Sequence, residues 1–522
     1  MNNIIELSGL DLTIIVAYIA ILIGVAVWAS YGKKNKSDGN LFLANKSLGW
    51  FAIGLTMWGT NVGPSMLIAN ASSGFENGVV AGNFSWYAFP FICLLAFVFA
   101  PRYLGANVMT LPEYMGKRFG ENTRQYIAWY SIVTILVSWL GLTLFCGGVF
   151  MAQILDFPLW LCFVLLVIVS AAFTMAGGLK TIAYTNVFQQ LLLIGVSALI
   201  AVFAINKIGG IGTVIEQTPP SYWKLFQPLN HPDFPWLAIL LGYPVMGIWF
   251  WCTDQSMVQS VLGAKNLRQG QFGANFCGWL KIIDIPLFIL PGILCFLLLP
   301  NLTNSTDAYL QLVKAVFPPG LIGLVIVIMS AALISTIAAA LNSLSTVFTM
   351  DIYLKNKSEN IPNREIKRIG RMIVMFGALL SIFLAIGISY IQGLSFFNIF
   401  QSVLGFLAPP MTATFLFAVF WKKTSMKAVN LTLTAGTLFS IATGILYYSG
   451  IIFSGLHFLY LSFLIFVILA VFIFIYSLAG KTISDTMLQY KPIKVNNSVK
   501  IAWIVLVVIM IGLYAADILI FK

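Results

Sequence analysis

The chain has 522 residues, of which 60% are hydrophobic and 9% charged, whereas a soluble domain carries about a quarter charged residues. This composition excludes a soluble globular protein and leaves a polytopic membrane protein, with no polar stretch long enough for an independent domain. The net charge of +12 then has to be explained by where the basic residues fall, and it does not call for a nucleic-acid partner.

Hydropathy gives fourteen candidate spans: 10–31, 48–73, 78–101, 125–153, 157–177, 181–206, 236–262, 270–299, 319–352, 369–391, 395–421, 427–449, 455–479 and 499–520. The first has no basic n-region and no small-residue cleavage site, and it is long enough to span. It is expected to be a retained helix, not a signal peptide. Alternate loops, around Lys33–Lys46, Arg102–Arg124, Lys180, Lys265–Arg268, Lys355–Arg371, Lys422–Lys427 and Lys481–Lys500, hold 24 of the 29 Lys and Arg. The opposite set holds Lys207, Lys224, Lys314 and Lys522. Positively charged loops stay inside, so the rich set is expected to be cytoplasmic and both termini extracytoplasmic.

The second span breaks at Gly59-Thr60-Asn61-Val62-Gly63-Pro64, and the seventh is loosened by Gly242, Pro244 and Gly247 ahead of Trp249-Phe250-Trp251. With the opening helix set aside, each begins a five-helix set. Interrupted helices at corresponding positions are the sequence mark of an inverted-repeat transporter with its site at the midplane. The eighth span carries Lys281. An ionisable residue at that depth is a functional candidate by default, and the alternative is a structural pair with Asp284 at i, i+3. The ninth opens as a plain apolar run and then turns to small residues from Ala331 to Ala340, with the hydroxyls of Ser335 and Thr336 among them. Small residues let helices approach closely in lipid. Counted from the span ends, Gly59, Phe250, Lys281 and Ser335 all fall near the centre of a core about 30 Å thick. Asp254 and Asp351 lie near helix ends, where pairing with basic residues is the expected role.

The six cysteines, Cys93, Cys146, Cys162, Cys252, Cys277 and Cys295, all lie in apolar segments and read as small packing residues, not a disulfide or metal framework. The two histidines, His231 and His457, are far apart in sequence, which argues against a histidine metal site or proton relay. No nucleophile–base pair or phosphate loop stands in a plausible setting, so an enzyme is not expected.

Several stretches carry a family resemblance: FLANKSLGWFAIGLTMWGTN (42–61), LPEYMGKRFG (111–120), MAGGLKTIAYTN (175–186), WCTDQSMVQSVLGAKN (251–266), NSLSTVFTMDIY (342–353) and LAPPMTATFLFAVFWKK (407–423). Together they resemble the sodium/solute symporter family, in particular its sodium/glucose cotransporter branch, over nearly the whole chain. The resemblance implies a leucine-transporter-type fold, all-α, with a five-plus-five inverted repeat and added helices. Residues 1–47 would be an extra helix and loop, 48–206 the first repeat, 207–421 an outer loop and the second repeat, and 422–522 peripheral helices.

The same resemblance implies one sodium ion between the broken helix and the eighth core helix, with Gly59, Val62, Ala332, Ser335 and Thr336 as ligands. The second sodium site of some members is expected to be missing, because its carboxylate and hydroxyl positions are Asn186, Ala338 and Ala339 here. For the substrate, Asn61, Lys281 and Gln401 match polar positions of sugar-binding relatives, and Trp251 an aromatic next to the inner gate. The gate's tyrosine is Phe250 in this chain. Phe84 and Phe397 resemble an outer aromatic lid, while Ser85 replaces a carboxylate that binds sugar hydroxyls in relatives. The expectation is a sodium-coupled importer of a sugar or polyol in the cell membrane, working as a monomer or weak homo-oligomer. A carboxylate or amino-acid cargo is the alternative, favoured if Lys281 is uncompensated. A transporter-like sensor is less expected, because only two residues follow the last span.

Overall fold

The structure, a computed structural model, describes residues 8–31, 43, 46–155, 157–318, 321–356, 362–390, 396–453, 455–479 and 495–521. Among them the regular structure is helical, with two isolated bridges, Leu48–Ala264 and Gln227–Pro235. Among the described residues, ten helices are long and apolar enough to cross a bilayer, or eleven when Leu267–Ile282 and Ile285–Leu298, bent by 46° against each other, are taken as one span.

The fourteen-span reading divides the chain differently. It expects a loop around Lys180, yet the backbone is helical throughout Leu159–Ile208. The intervening Gly177-Gly178-Leu179-Lys180 contains no proline to stop a helix, and a helical glycine costs only about 1 kcal/mol. The break between 48–73 and 78–101 does exist. Gly78 adopts φ 71°, a conformation that favours glycine, and a Cβ there would meet the backbone of Tyr222 at 2.2 Å. Tyr222 belongs to the 207–235 connector and donates its hydroxyl to Phe75 O at 2.8 Å.

The second span is broken where the sequence says. Trp50–Asn61 and Pro64–Asn77 are separate helices joined through Val62 and Gly63. The seventh breaks later than expected. Its helix runs through Gly242 and Pro244 to Ile248, widens into a π-turn over Trp249–Thr253, and stops at the extended residue Asp254. Membrane helices absorb a proline when neighbours cover the freed backbone. The stop comes instead from Asp254, whose Oδ1 caps Gln255–Leu262 by accepting from Ser256 N at 2.9 Å and Met257 N at 3.2 Å. Its Oδ2 accepts from Trp139 Nε1 at 3.2 Å. Asp254 is therefore held by neutral donors, which corrects the expectation of a basic partner. Asp351 does find one: Arg124 Nε lies 2.7 Å from its Oδ1.

Helix Ile322–Val347 is buried for most of its length and packs along the 159–208 helix and both halves of the split helix. Its small residues allow this. Ala338 and Ala339 receive Ile182, and Ala331 joins Val327 and Tyr18. Asp11, at the start of helix Gly9–Tyr31, accepts from Gly323 N at 2.6 Å. A carboxylate thus sits on the positive end of the buried helix. The split helix is pinned elsewhere by backbone contact, for a Cβ on Gly74 would lie 2.2 Å from Ile289 O and one on Gly292 2.0 Å from Ala71 O.

Gly292→Val forces these helices apart and is expected to cost roughly 3 kcal/mol. The check is the thermal unfolding midpoint of detergent-purified protein, set against Gly512→Val, where a Cβ meets nothing within 4 Å.

Candidate functional site

The break in the split helix leaves backbone acceptors inside the bundle. The ladder of the first half closes with Val62 N on Trp58 O at 2.8 Å, and the second half begins with Met66 N and Leu67 N on Gly63 O at 3.0 Å each. Pro64 has no N–H to offer. The carbonyls of Gly59 and Thr60 therefore find no ladder partner among the described residues. In a bilayer such acceptors cannot turn to bulk water, so unwound backbone inside a membrane protein marks an ion or substrate site.

On helix Ile322–Val347, Ala332, Ser335 and Thr336 are all buried, and Thr336 Oγ1 donates to Ala332 O at 3.0 Å. That bond holds two of the expected sodium ligands together. No cluster of three His, Cys, Asp or Glu stands ready for a metal among the described residues. A cation at this level would be held by carbonyl and hydroxyl oxygens, which suit a hard monovalent ion.

Beside the break lies a buried charged contact. Lys281 Nζ donates to Asn61 Oδ1 at 2.7 Å and forms an ion pair with Asp284 Oδ2. The other oxygen of Asp284 accepts from Trp58 Nε1 at 2.8 Å. Both charged residues are buried, at 2% and 0% exposure, so each charge is compensated by the other and by these neutral bonds. The ammonium also lies 5.8 Å from the centre of the Trp251 ring, within cation–π range.

The cavity next to this cluster is lined by Asn61, Met66, Phe84, Tyr243, Met246, Phe250, Trp251, Gln401 and Leu404. Its ≈ 30 Å³ admits about two waters. Four of the lining side chains are aromatic. Phe250 packs against Trp139 and Trp251, with centroids 5.3 and 5.1 Å apart. Phe84 stacks edge-on with Tyr243 at 4.9 Å.

The structure thus brings together Asn61, Trp251, Gln401, Phe84 and Phe250, with Lys281 in contact with two of them. Ser85 is buried beside Phe84 but does not line the cavity, so the replaced-carboxylate position contributes nothing to its wall. Phe397 falls in helix Phe396–Phe420, and its side chain lies outside the described residues. Sequence reasoning missed Tyr243, whose hydroxyl donates to Phe84 O at 2.5 Å. It lies two helical turns before Trp251, on the same face of the seventh span. It also missed Trp58, the indole donor that fixes Asp284.

A bundle of membrane-length helices, one of them broken beside a buried polar cluster, is the architecture of a secondary carrier. The comparisons with known proteins agree. The sodium:solute symporter family matches residues 41–436. Sodium/glucose cotransporter 1 of Ovis aries is 29% identical over 94% of this chain and 82% of its own. Sodium/glucose cotransporter 4 of Mus musculus is 30% identical over 85% of this chain and 69% of its own. A substrate-bound, outward-open Na+-coupled sialic acid symporter superposes with a TM-score of 0.78 at 19% identity, covering 91% of this chain and 99% of that one. Mhp1, a nucleobase-cation-symport-1 family transporter, gives 0.52 at 14% identity, over 87% and 98%. The chain belongs to the sodium:solute symporter family. It is a multi-pass membrane transporter and not an enzyme, and sodium is its co-transported ion.

Removing one partner of a buried ion pair strands the other charge, at a cost of about 3–5 kcal/mol, while replacing both by apolar residues is often nearly neutral. Asp284→Leu and Lys281→Met are each expected to lower thermal stability strongly, and the double variant Lys281→Met/Asp284→Leu to recover most of it. Thermal unfolding of the three purified proteins, completing a double-mutant cycle with the wild type, measures this directly.

Proposed function

We propose that this protein imports a neutral polyhydroxylated solute, a sugar or polyol, together with one sodium ion by alternating access. The observation that carries the reading is the internal neutralisation of Lys281. Its charge is taken up by Asp284, so the site offers an incoming carboxylate no free cation from that lysine. What remains for the substrate is the carboxamides of Asn61 and Gln401 and the aromatic faces of Trp251, Phe250 and Phe84. Carboxamides donate and accept at once, as hydroxyl groups do, and aromatic faces suit the apolar side of a sugar ring. The sodium/glucose cotransporters among the relatives support the same cargo class.

The sodium ion is proposed to lie between the split helix and helix Ile322–Val347, on the carbonyls of Gly59, Val62 and Ala332 and the hydroxyls of Ser335 and Thr336. One ion per cycle follows from the residues around the second site of some relatives. Asn186 is uncharged, and Ala338 and Ala339 carry no side-chain oxygen and pack on Ile182. One sodium is sufficient. Crossing about −100 mV supplies about 2.3 kcal/mol and a tenfold gradient about 1.4 kcal/mol, enough for several-hundredfold accumulation. The proposed topology takes residues 48–206 and 207–421 as the two inverted halves in the plasma membrane, with the basic loops on the cytoplasmic side.

The test is the unfolding midpoint of purified protein against a panel of sugars, polyols and acids, in sodium and in potassium. A ligand that binds only the native state stabilises by RT ln(1 + [L]/Kd). A sugar or polyol is expected to raise the midpoint in sodium alone, and Ser335→Ala to remove the sodium requirement's signal. Shifts with acids only would overturn the cargo, and a sugar shift indifferent to sodium would overturn the coupled site.

A further inference from the structure

Two carboxamides on the 159–208 helix have no role so far. Asn186 and Gln190 are one turn apart, so they share a face, and they are 1% and 0% exposed. Gln190 Oε1 and Nε2 and Asn186 Oδ1 find no hydrogen-bond partner among the described residues. Buried side-chain amides are nearly always bonded, and an exception in a membrane interior asks for a missing partner.

Their position says what that partner is. The Gln190 side chain lies directly against the backbone of Gly59, the residue at the end of the broken ladder. A Cβ on Gly59 would meet Gln190 Cδ and Nε2 at 2.6 Å. The 159–208 helix also runs alongside Ile322–Val347. Ile182 packs on Ala338 and Ala339, while Phe188 and Leu192 pack on the cluster of Val327, Ala331 and Tyr18. Residues 186–190 therefore stand level with the stretch from Ala331 to Ala338, which contains Ala332, Ser335 and Thr336. Gln190 thus lies against Gly59 at the level of that stretch. Its unpartnered oxygen is a hard neutral donor at the place where backbone carbonyls and hydroxyls already gather.

We propose that Gln190 is an additional ligand of the transported sodium, contributing its amide oxygen from the 159–208 helix while its amino group meets a freed carbonyl of the split helix. This deepens the sodium site described above and rests on it. The consequence is a cation site made wholly of neutral oxygens, in which Gln190 ties the ion to a third helix. Occupancy of the site then fixes the 159–208 helix against the break. Asn186, one turn away, keeps the surroundings uncharged.

The experiment titrates sodium chloride against potassium chloride at constant ionic strength into purified protein without sugar, reading the unfolding midpoint. Gln190→Leu, close in size but without oxygen, is expected to weaken sodium at least tenfold, with sugar affinity at saturating sodium within about threefold of wild type. Gln190→Glu, which keeps an oxygen and adds charge, is expected to bind sodium more tightly, with an affinity that falls as pH is lowered through the carboxylate's titration. If Gln190→Leu cannot be purified, Gln190→Glu decides alone, and a sodium affinity equal to wild type and flat with pH would overturn the proposal. A Gln190→Leu protein within twofold of wild type overturns it too, provided Ser335→Ala loses its sodium response. If Ser335→Ala keeps that response as well, the sodium site beneath the proposal falls with it.

Discussion

A polar backbone group inside a bilayer must find a partner within the protein, and the break after Asn61 is where this chain leaves that demand unmet. Pro64 removes a donor, Val62 and Gly63 leave the helix, and the carbonyls of Gly59 and Thr60 are left without a ladder partner among the described residues. Everything that surrounds the break is arranged to make such acceptors tolerable. The small-residue stretch of helix Ile322–Val347 brings hydroxyls close, the 159–208 helix brings amides, and the 267–298 pair brings a compensated lysine. In the sodium site proposed above, a cation takes the place of the missing donors at a discontinuity that would be costly in isolation.

The Lys281–Asp284 pair solves a different electrostatic problem. A lone charge at this depth would be expensive, and a paired one gains little net stability because desolvation consumes most of the attraction. Its value lies in geometry. Trp58 fixes one oxygen of Asp284, Lys281 takes the other, and the ammonium then reaches Asn61. One residue of the break is therefore oriented by a network that spans two helices. The same ammonium faces Trp251, so the polar cluster and the aromatic wall of the cavity are mechanically one unit.

Close packing supplies the rigidity behind both. Backbone meets backbone at Gly74 and Gly292, and Asp11 holds the start of the buried helix at Gly323. The second discontinuity, at Asp254, is stabilised by ordinary capping, which lets the π-turn carrying Phe250 and Trp251 end without exposed donors. The cavity these elements enclose is closed down to a volume far below that of a sugar site.

Composition alone declared the membrane, and the Gly59–Pro64 segment declared the break, because proline and glycine act through local backbone chemistry that any context must respect. Lys281 was legible as exceptional for a similar reason: a charge in an apolar run has to be compensated somewhere. The motif resemblance carried the family, and with it the residues to examine. Other features were open until the chain was folded. Helical continuity through Lys180 and the late stop at Asp254 depended on which local signal prevailed, and glycines alone proved too weak to end a helix. Whether Lys281 was free or paired was a choice between two readings, settled by the side-chain geometry around Asp284 and Trp58. Tyr243 and Gln190 carried no mark in the sequence at all. Their roles come from long-range contacts, with Phe84 and Gly59, that no local pattern encodes, because which face of one helix meets which face of another is decided only when all the helices pack together.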